Sequence, residues 1–269
     1  MGGAEARSFR ATVEYDGTAY FGFQRQRRGP NRVGVSIQEE LEEALGRLAG
    51  HPIRVTGAGR TDTGVHALGQ VIGFTIEWPQ RRGDAALLRA LNASLPPDIA
   101  VSTLAEALPG FHPRFDARRR TYEYRVLNAP VRRPLLRWRA WHVAAALDEA
   151  QMNVAAARLV GMRDFATFGR PPVGDNTTRT IYSAAWRRES DLLIFRVVAN
   201  AFLHRMVRSL VGSLRKVGDG SWSVDDFAVA LAACDRKRSA SAAPAHGLYL
   251  VSVEYDTSDE LRVTRYSDE

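Results

Sequence analysis

Apolar and polar residues alternate near the start of the chain, and this period of two predicts a half-buried β-strand. The apolar positions are Phe9, Ala11, Val13 and Tyr15. Asp16-Gly17 ends the strand, and an arginine-rich loop follows it. Ser36 and Glu39 then form a capping box, which predicts the start of a helix with an apolar stripe that ends at Gly50.

The same patterns predict the elements of two similar halves. The first half continues with strands near 52–57, 68–77 and 99–104 and a helix at 85–95. The second half has strands at 119–127, 179–187, 191–199 and 247–255 and helices at 148–160, 203–217 and 225–233, with long loops at 128–139 and 170–180. The order strand–helix–strand–strand–helix–strand is that of a ferredoxin-like unit. We therefore predict an α+β protein with two ferredoxin-like or RRM-like subdomains, 1–107 and 108–269, whose antiparallel sheets lie side by side around a basic cleft.

Composition and charge narrow the class of protein. The 269 residues are 45% hydrophobic and carry a formal net charge of +7, so we expect a globular protein with a polyanionic partner: RNA, DNA or an anionic membrane surface. Because only Lys216 and Lys237 are lysine, the arginine content can also reflect genome composition. The single cysteine, Cys234, excludes an internal disulfide and a Cys-rich zinc site, and its surroundings predict a helix face packed in the core. Without a signal peptide or an apolar run of ~18 residues, the cytosol is the expected compartment.

The most unusual local feature is the glycine-rich stretch from Gly57 to Ala67. It contains an acid, Asp62, and a base, Arg60, two residues apart on what we predict to be a short loop between strands. It lacks the ending of a phosphate-binding P-loop and the third glycine of a dinucleotide fingerprint. It either presents Asp62 for chemistry or is an ordinary turn in which Asp62 bonds its own backbone.

A second segment interleaves cations with aromatic residues. On the strand that begins near 119, one predicted face carries Arg118, Arg120, Tyr122 and Tyr124. Such a face suits RNA, because arginines reach phosphates and aromatic rings pack on unstacked bases. The alternative is a solvated basic face with core tyrosines.

A third segment, Asn200 to Gly212, predicts a helix with Arg208 at the edge of its buried stripe. An arginine there needs a carboxylate partner, for which Asp62 is a candidate, or else it is a surface residue with a packed stem. The histidines are scattered without metal-ligand spacing, and His66 and His204 are interpreted as polar residues near the groove.

Taken together, these segments resemble the tRNA pseudouridine synthase A family. The strings that carry the resemblance are 15–24, 59–67, 111–117, 120–124, 164–165, 202–208 and 247–250. The most specific is Arg60-Thr61-Asp62-Thr63-Gly64-Val65-His66, and Phe23 departs from the tryptophan of many relatives. The resemblance implies a pseudouridine synthase fold, and conversion of uridine to pseudouridine at positions 38, 39 and 40 of the tRNA anticodon stem-loop. It also implies a homodimer that needs no cofactor or metal.

The resemblance further implies the roles of individual residues. Asp62 is the catalytic carboxylate, Tyr122 packs against the uracil, Arg208 is the basic partner of Asp62, and Arg60 displaces or holds the base. His66 and Arg205 are expected to contact the substrate. The expected contacts to the RNA backbone are Arg25, Arg27, Arg28, Arg32, Arg118 and Arg120.

Several readings stay open at this point. The carboxylate could attack C1′ of the ribose, attack C6 of the uracil, or abstract a ribose proton. The substrate could be another RNA, or the protein could be a non-catalytic RNA-binding module. An acid within a basic groove weakens RNA binding, so Asp62 favours an enzyme. A phosphate-binding hydrolase is excluded, because the glycine-rich loop has no neighbouring acids that could bind a metal.

Overall fold

The computed structural model describes residues 6–26, 34–256 and 264–265. The chain folds into two compact units: unit 1 is Met1–Arg118 with Leu250–Glu269, and unit 2 is Arg119–Tyr249. Each combines strands with helices, so the predicted α+β class is confirmed. Arg27, Arg28 and Arg32 lie outside the described residues.

The observed elements follow the predicted order closely. The strands are β1 (Ala6–Tyr15), β2 (Thr56–Gly57), β3 (His66–Glu77), β4 (Ile99–Glu106), β5 (Arg119–Leu127), β6 (Trp141–His142), β7 (Gly161–Asp164), β8 (Thr178–Glu189), β9 (Leu192–Ala199), β10 (Leu248–Glu254) and β11 (Thr264–Arg265). The helices are α1 (Ile37–Ala49), α2 (Asp84–Ser94), α3 (Glu149–Ala157), α4 (Met206–Gly218) and α5 (Val224–Ala232). None of the helices in the described ranges is long and apolar enough to cross a membrane.

In unit 1, β1 is antiparallel to β3 on one side and to β4 on the other. β10 adjoins β3, and β11 pairs with β4. The alternating apolar residues of β1 are buried, as predicted. Helix α1 begins with both bonds of the predicted capping box, and its last turn ends at Gly50 with a left-handed φ of 76°. Of the strand predicted near 52–57, only β2 is a strand.

Residues 108–118 pack within unit 1, so the compact units meet at 118/119 and not at the predicted 107/108. Tyr255, just beyond β10, accounts for this packing. Its hydroxyl donates to the Pro113 carbonyl at 2.7 Å, and its ring lies 5.2 Å from that of Phe111. This contact joins residues that are 142 positions apart in the sequence.

In unit 2, strands β5, β9, β8 and β7 form an antiparallel sheet in that order, and β6 runs parallel to β5. Helix α4 begins at Met206, three residues later than predicted, because Arg205 adopts a left-handed φ of 62°. Cys234 lies beyond the end of α5 and is exposed. The prediction that it packs in the core was therefore wrong.

Candidate active site

Asp62 lies half-buried in the loop between β2 and β3 of unit 1. Its backbone carbonyl accepts a hydrogen bond from the Val65 N–H at 3.1 Å, and Gly64 has the left-handed φ of 77° that such a turn requires. The segment is thus a tight turn closed between backbone atoms. The hydrogen bond that closes the turn is accepted by the backbone carbonyl of Asp62. The turn therefore fixes the backbone position from which the Asp62 side chain extends.

The loop around Asp62 is anchored on both sides by neutral hydrogen bonds. The Thr61 hydroxyl is 2.7 Å from the Tyr15 hydroxyl at the end of β1, and the Thr61 carbonyl accepts from the Phe23 N–H at 3.1 Å. On the other side, the Gln70 amide of β3 donates to the Gly59 carbonyl at 2.9 Å. These bonds leave the loop little freedom, which is the condition for a precisely placed reacting group.

Gly22 brings the chain of residues 20–23 against this loop. A Cβ on Gly22 would lie 2.5 Å from the Thr61 carbonyl oxygen, and its φ is +81°. Only glycine combines this approach with this backbone conformation. The sequence marked 15–24 as part of a family string, yet no local pattern showed that it supports the loop.

His66 begins β3 and is only 2% exposed. Its Nδ1 is 3.1 Å from the Gly17 nitrogen and 3.0 Å from an Asp16 carboxylate oxygen. These contacts hold the end of β1 against the start of β3, and a contact of His66 with substrate stays a prediction. Arg60 is exposed on the loop, where its predicted role is not tested.

In unit 2, Tyr122 lies on β5 and is 8% exposed. Its ring meets that of Phe202 edge-on at 5.0 Å. The register places Arg120, Tyr122 and Tyr124 on one face of β5, as predicted, whereas Arg118 precedes the strand. Tyr124 is fully buried and donates to the Pro244 carbonyl at 2.8 Å, and burial raises the pKa of its hydroxyl. Tyr124 is therefore a core residue.

Arg208 lies half-buried in the first turn of α4. Its Nε donates to the Ala243 carbonyl at 2.7 Å, and the Ala243 N–H donates back to the Arg208 carbonyl at 2.9 Å. Burial lowers the pKa of His246, and the positive charge of Arg208 lowers it further. Arg208 is thus a positioned cation, and its pairing with Asp62 stays a prediction.

The arginines that were predicted to contact the RNA backbone, and that the structure describes, have partners within the protein. Arg25 lies 3.7 Å from Glu39 and 3.6 Å from Glu42 of α1. Arg118 pairs with Asp256 at 2.8 Å, and Arg120 donates to the Asn200 carbonyl at 2.8 Å. These bonds orient the arginines; their contacts with RNA stay predictions.

Comparison of the amino-acid sequence with known proteins identifies the family of this chain. A family profile described as tRNA pseudouridine synthase matches residues 11–116 and 155–256. The chain belongs to the tRNA pseudouridine synthase family. It is 44% identical to a tRNA pseudouridine synthase A of Rhodospirillum rubrum, over 92% of this chain and 87% of that protein. It is 42% identical to one of Beijerinckia indica, over 94% and 95% respectively.

The match to the tRNA pseudouridine synthase family extends over both units. The matched ranges contain Asp62 and Arg208, and Tyr122 lies between them. Among solved structures, "Crystal Structure of a Cbf5-Nop10-Gar1 Complex" aligns at 14% identity and a TM-score of 0.31, over 77% of this chain and 54% of that chain, which is too distant to carry an argument.

Proposed function

We propose that this protein isomerises uridine to pseudouridine at positions 38, 39 and 40 of the tRNA anticodon stem-loop, with Asp62 as the reacting carboxylate. The observation that carries the proposal is the family match over both units, with Asp62 on a loop anchored on each side. The 42–44% identity to tRNA pseudouridine synthases A favours tRNA over other RNAs as the substrate.

The chemistry fits a protein that acts with side chains alone. The N1–C1′ bond breaks, the uracil turns, C5 joins C1′, the C5 proton leaves and N1 gains a proton. Nothing is oxidised and no group is lost from the nucleotide, so the balance calls for no redox cofactor. The base must first leave its stack, which costs a few kcal/mol that backbone contacts of a cationic protein can offset.

Asp62 would act as an anion on the flipped nucleotide. It attacks C1′ or C6, or removes a ribose proton, and each route requires the carboxylate at a defined position. The turn at Gly64 and the Tyr15–Thr61 and Gln70–Gly59 bonds supply that position. The proposal assigns Arg208 as the cation that favours the charged form of this carboxylate.

The remaining contacts are assigned by chemistry. Tyr122, held edge-on to Phe202, offers an aromatic surface to the uracil. Arg60, exposed beside the acid, displaces or holds the base, and Arg205 and His66 belong to the substrate-binding set. We further propose that the protein acts in the cytosol as a homodimer.

The deciding experiment incubates the purified protein with unmodified tRNA transcripts and maps pseudouridine. We expect modification at positions 38–40 with wild type and none with Asp62→Asn. Ribosomal RNA is tested in a parallel reaction. If pseudouridine forms only there, ribosomal RNA replaces tRNA as the proposed substrate. Binding of tRNA without any pseudouridine would instead make the protein an RNA-binding module and overturn the proposal.

A further inference from the structure

Three arginines of unit 2 converge near the start of α4 from three separate segments. Arg170 and Arg236 line an open pocket of about 620 Å³, and Arg205 immediately precedes the helix. We call Arg170, Arg205 and Arg236 the arginine cluster.

Arg236 is held rigidly within the cluster. Its Nη1 donates to the Thr167 carbonyl at 2.8 Å, and its Nη2 donates to the Ser209 hydroxyl at 2.9 Å. Thr167 and Ser209 are both completely buried, and the Ser209 N–H in turn bonds the Arg205 carbonyl at 3.0 Å. The guanidinium of Arg236 is therefore fixed to the first turns of α4.

The segment carrying Arg170 is pressed against the residues just before the helix. The His204 N–H donates to the Arg170 carbonyl at 2.9 Å. A Cβ on Gly169 would lie 2.4 Å from the Cβ of Leu203, so only glycine permits this contact. Arg170 is thereby held beside the start of α4 while its side chain remains at the surface.

Backbone strain is concentrated at the same place. Arg205 has a φ of 62° and Cys234, which lines the pocket, has a φ of 50°. Apart from Ser190, they are the non-glycine residues with positive φ in the described ranges. Observed strain of this kind is concentrated at functional sites.

The positive charges of the cluster act on one another. Burial lowers the pKa of Arg236, and the charges of Arg170 and Arg205 lower it further. The pocket is also lined by two acids, Asp175 and Asp235, and Asp235 accepts the Lys237 N–H at 2.9 Å as the cap of a short helical turn. Like charges that are held together by buried anchors repel one another, and an anion relieves that repulsion.

We infer that the arginine cluster binds one phosphodiester of the RNA backbone. This inference rests on the proposed function. Arginine is suited to the ligand, because its planar fork binds phosphate oxygens in pairs.

The first test is the salt dependence of tRNA binding. Arg170→Ala and the double variant Arg170→Ala/Arg236→Ala are compared with Arg163→Ala, an exposed arginine on β7 of the same unit. Loss of one phosphate contact should reduce the slope of log K against log salt by about 0.7–0.9. We expect that change in both cluster variants and wild-type behaviour in Arg163→Ala. Equal slopes in all four proteins would overturn the inference.

The second test locates the phosphate. Anticodon-arm RNAs that each carry a single neutral methylphosphonate linkage are titrated with wild type and with Arg170→Ala. Wild type should lose affinity at one linkage, and the variant should be indifferent to that linkage. The same penalty in both proteins, or none at any linkage, would refute the assignment.

Two controls separate the possible failures. Because Arg236 has two buried anchors, its removal could unfold the protein; thermal melting reports this, and Arg170→Ala alone still tests the inference. Pseudouridine formation by wild type tests the proposed function separately. If wild type modifies tRNA while the cluster variants bind it with unchanged slopes, only the phosphate assignment fails.

Discussion

The loop that carries Asp62 and the start of α4 are built by opposite means. The loop is held by uncharged groups: a tyrosine hydroxyl, a glutamine amide, backbone N–H groups and the close contact at Gly22. The start of α4 collects cations, and Arg205 adopts a strained backbone there. The loop fixes the position of one side chain, whereas the start of α4 concentrates positive charge.

This difference predicts which kind of perturbation should affect each region most. A reacting carboxylate works only at the right place, so small displacements of the loop should be costly. Recognition of a phosphate depends on charge and is screened by salt. The loop should therefore respond to changes in shape, and the start of α4 to changes in charge and salt.

The largest expected effect is that of Asp62→Asn. The variant keeps the size of the side chain but removes the anion, and loss of a reacting group costs on the order of 10⁴-fold or more in turnover. Binding of tRNA should remain close to wild type. Tritium release from C5-labelled tRNA measures the rate, and Asp225→Asn, which changes an exposed acid of α5, is the control. Normal release by Asp62→Asn would refute the role of the carboxylate.

The next effect is that of Arg208→Ala, which should lower the rate by about 10²-fold and also lower stability. The variant loses the proposed counter-charge of Asp62 and the bond to the Ala243 carbonyl, which is worth ~1 kcal/mol. Arg208→Lys should recover part of the rate, because it restores the charge without the fork. Wild-type rate and melting temperature in Arg208→Ala would contradict the assignment.

Gly22→Ala tests the shape of the loop directly. The new Cβ would meet the Thr61 carbonyl, so the loop must shift, and a displacement near 1 Å can cost about 10²-fold in rate. Gly50→Ala is the matched control: its φ is also positive, at 76°, but its Cβ would meet nothing within 4 Å. Both variants should lose stability, and only Gly22→Ala should lose turnover per folded molecule. Unchanged turnover per folded molecule in Gly22→Ala would show that the loop tolerates movement.

Tyr15→Phe is a milder change at the same loop. It leaves the buried Thr61 hydroxyl without its tyrosine partner, which should destabilise the protein by roughly 1–3 kcal/mol and slow turnover by about tenfold. Tyr249→Phe removes a comparable hydroxyl that donates to the Arg139 carbonyl at 2.8 Å. Denaturant unfolding and single-turnover rates compare the two. An undiminished rate in Tyr15→Phe would mean that this bond does not position Asp62.

The smallest effect concerns pH and His246. Because the folded state lowers the pKa of this histidine, the unfolded chain binds its proton more readily. Stability that is present above the ordinary histidine pKa of about 6.5 should therefore be lost as the pH falls through that value. His246→Gln should show a smaller drop in melting temperature between about pH 7.5 and pH 5.5 than wild type. The exposed His51→Gln should match wild type, and an equal drop in all three would disprove this linkage.

Much of the fold could be predicted from local patterns. The period-two alternation of β1 and the capping box of α1 report burial and helix start within a few residues, and both were confirmed. β6 was missed because it has only two residues, and β7 because it is short and has one half-buried and three exposed residues, so neither shows periodicity. The candidate site was predicted from the string around Asp62, but its support from Tyr15, Gly22 and Gln70 could not be.

The sequence by itself determined the α+β class, the order of the elements and the family, because periodicity and motif strings are properties of neighbouring residues. Tertiary structure decided that unit 1 extends to Arg118, that Tyr124 is core, that Cys234 is exposed and that Arg236 is anchored beside α4. Each of these depends on a contact between distant segments, or on one residue's backbone angle. The free energy of such contacts comes from close packing and paired polar groups, which no local pattern records.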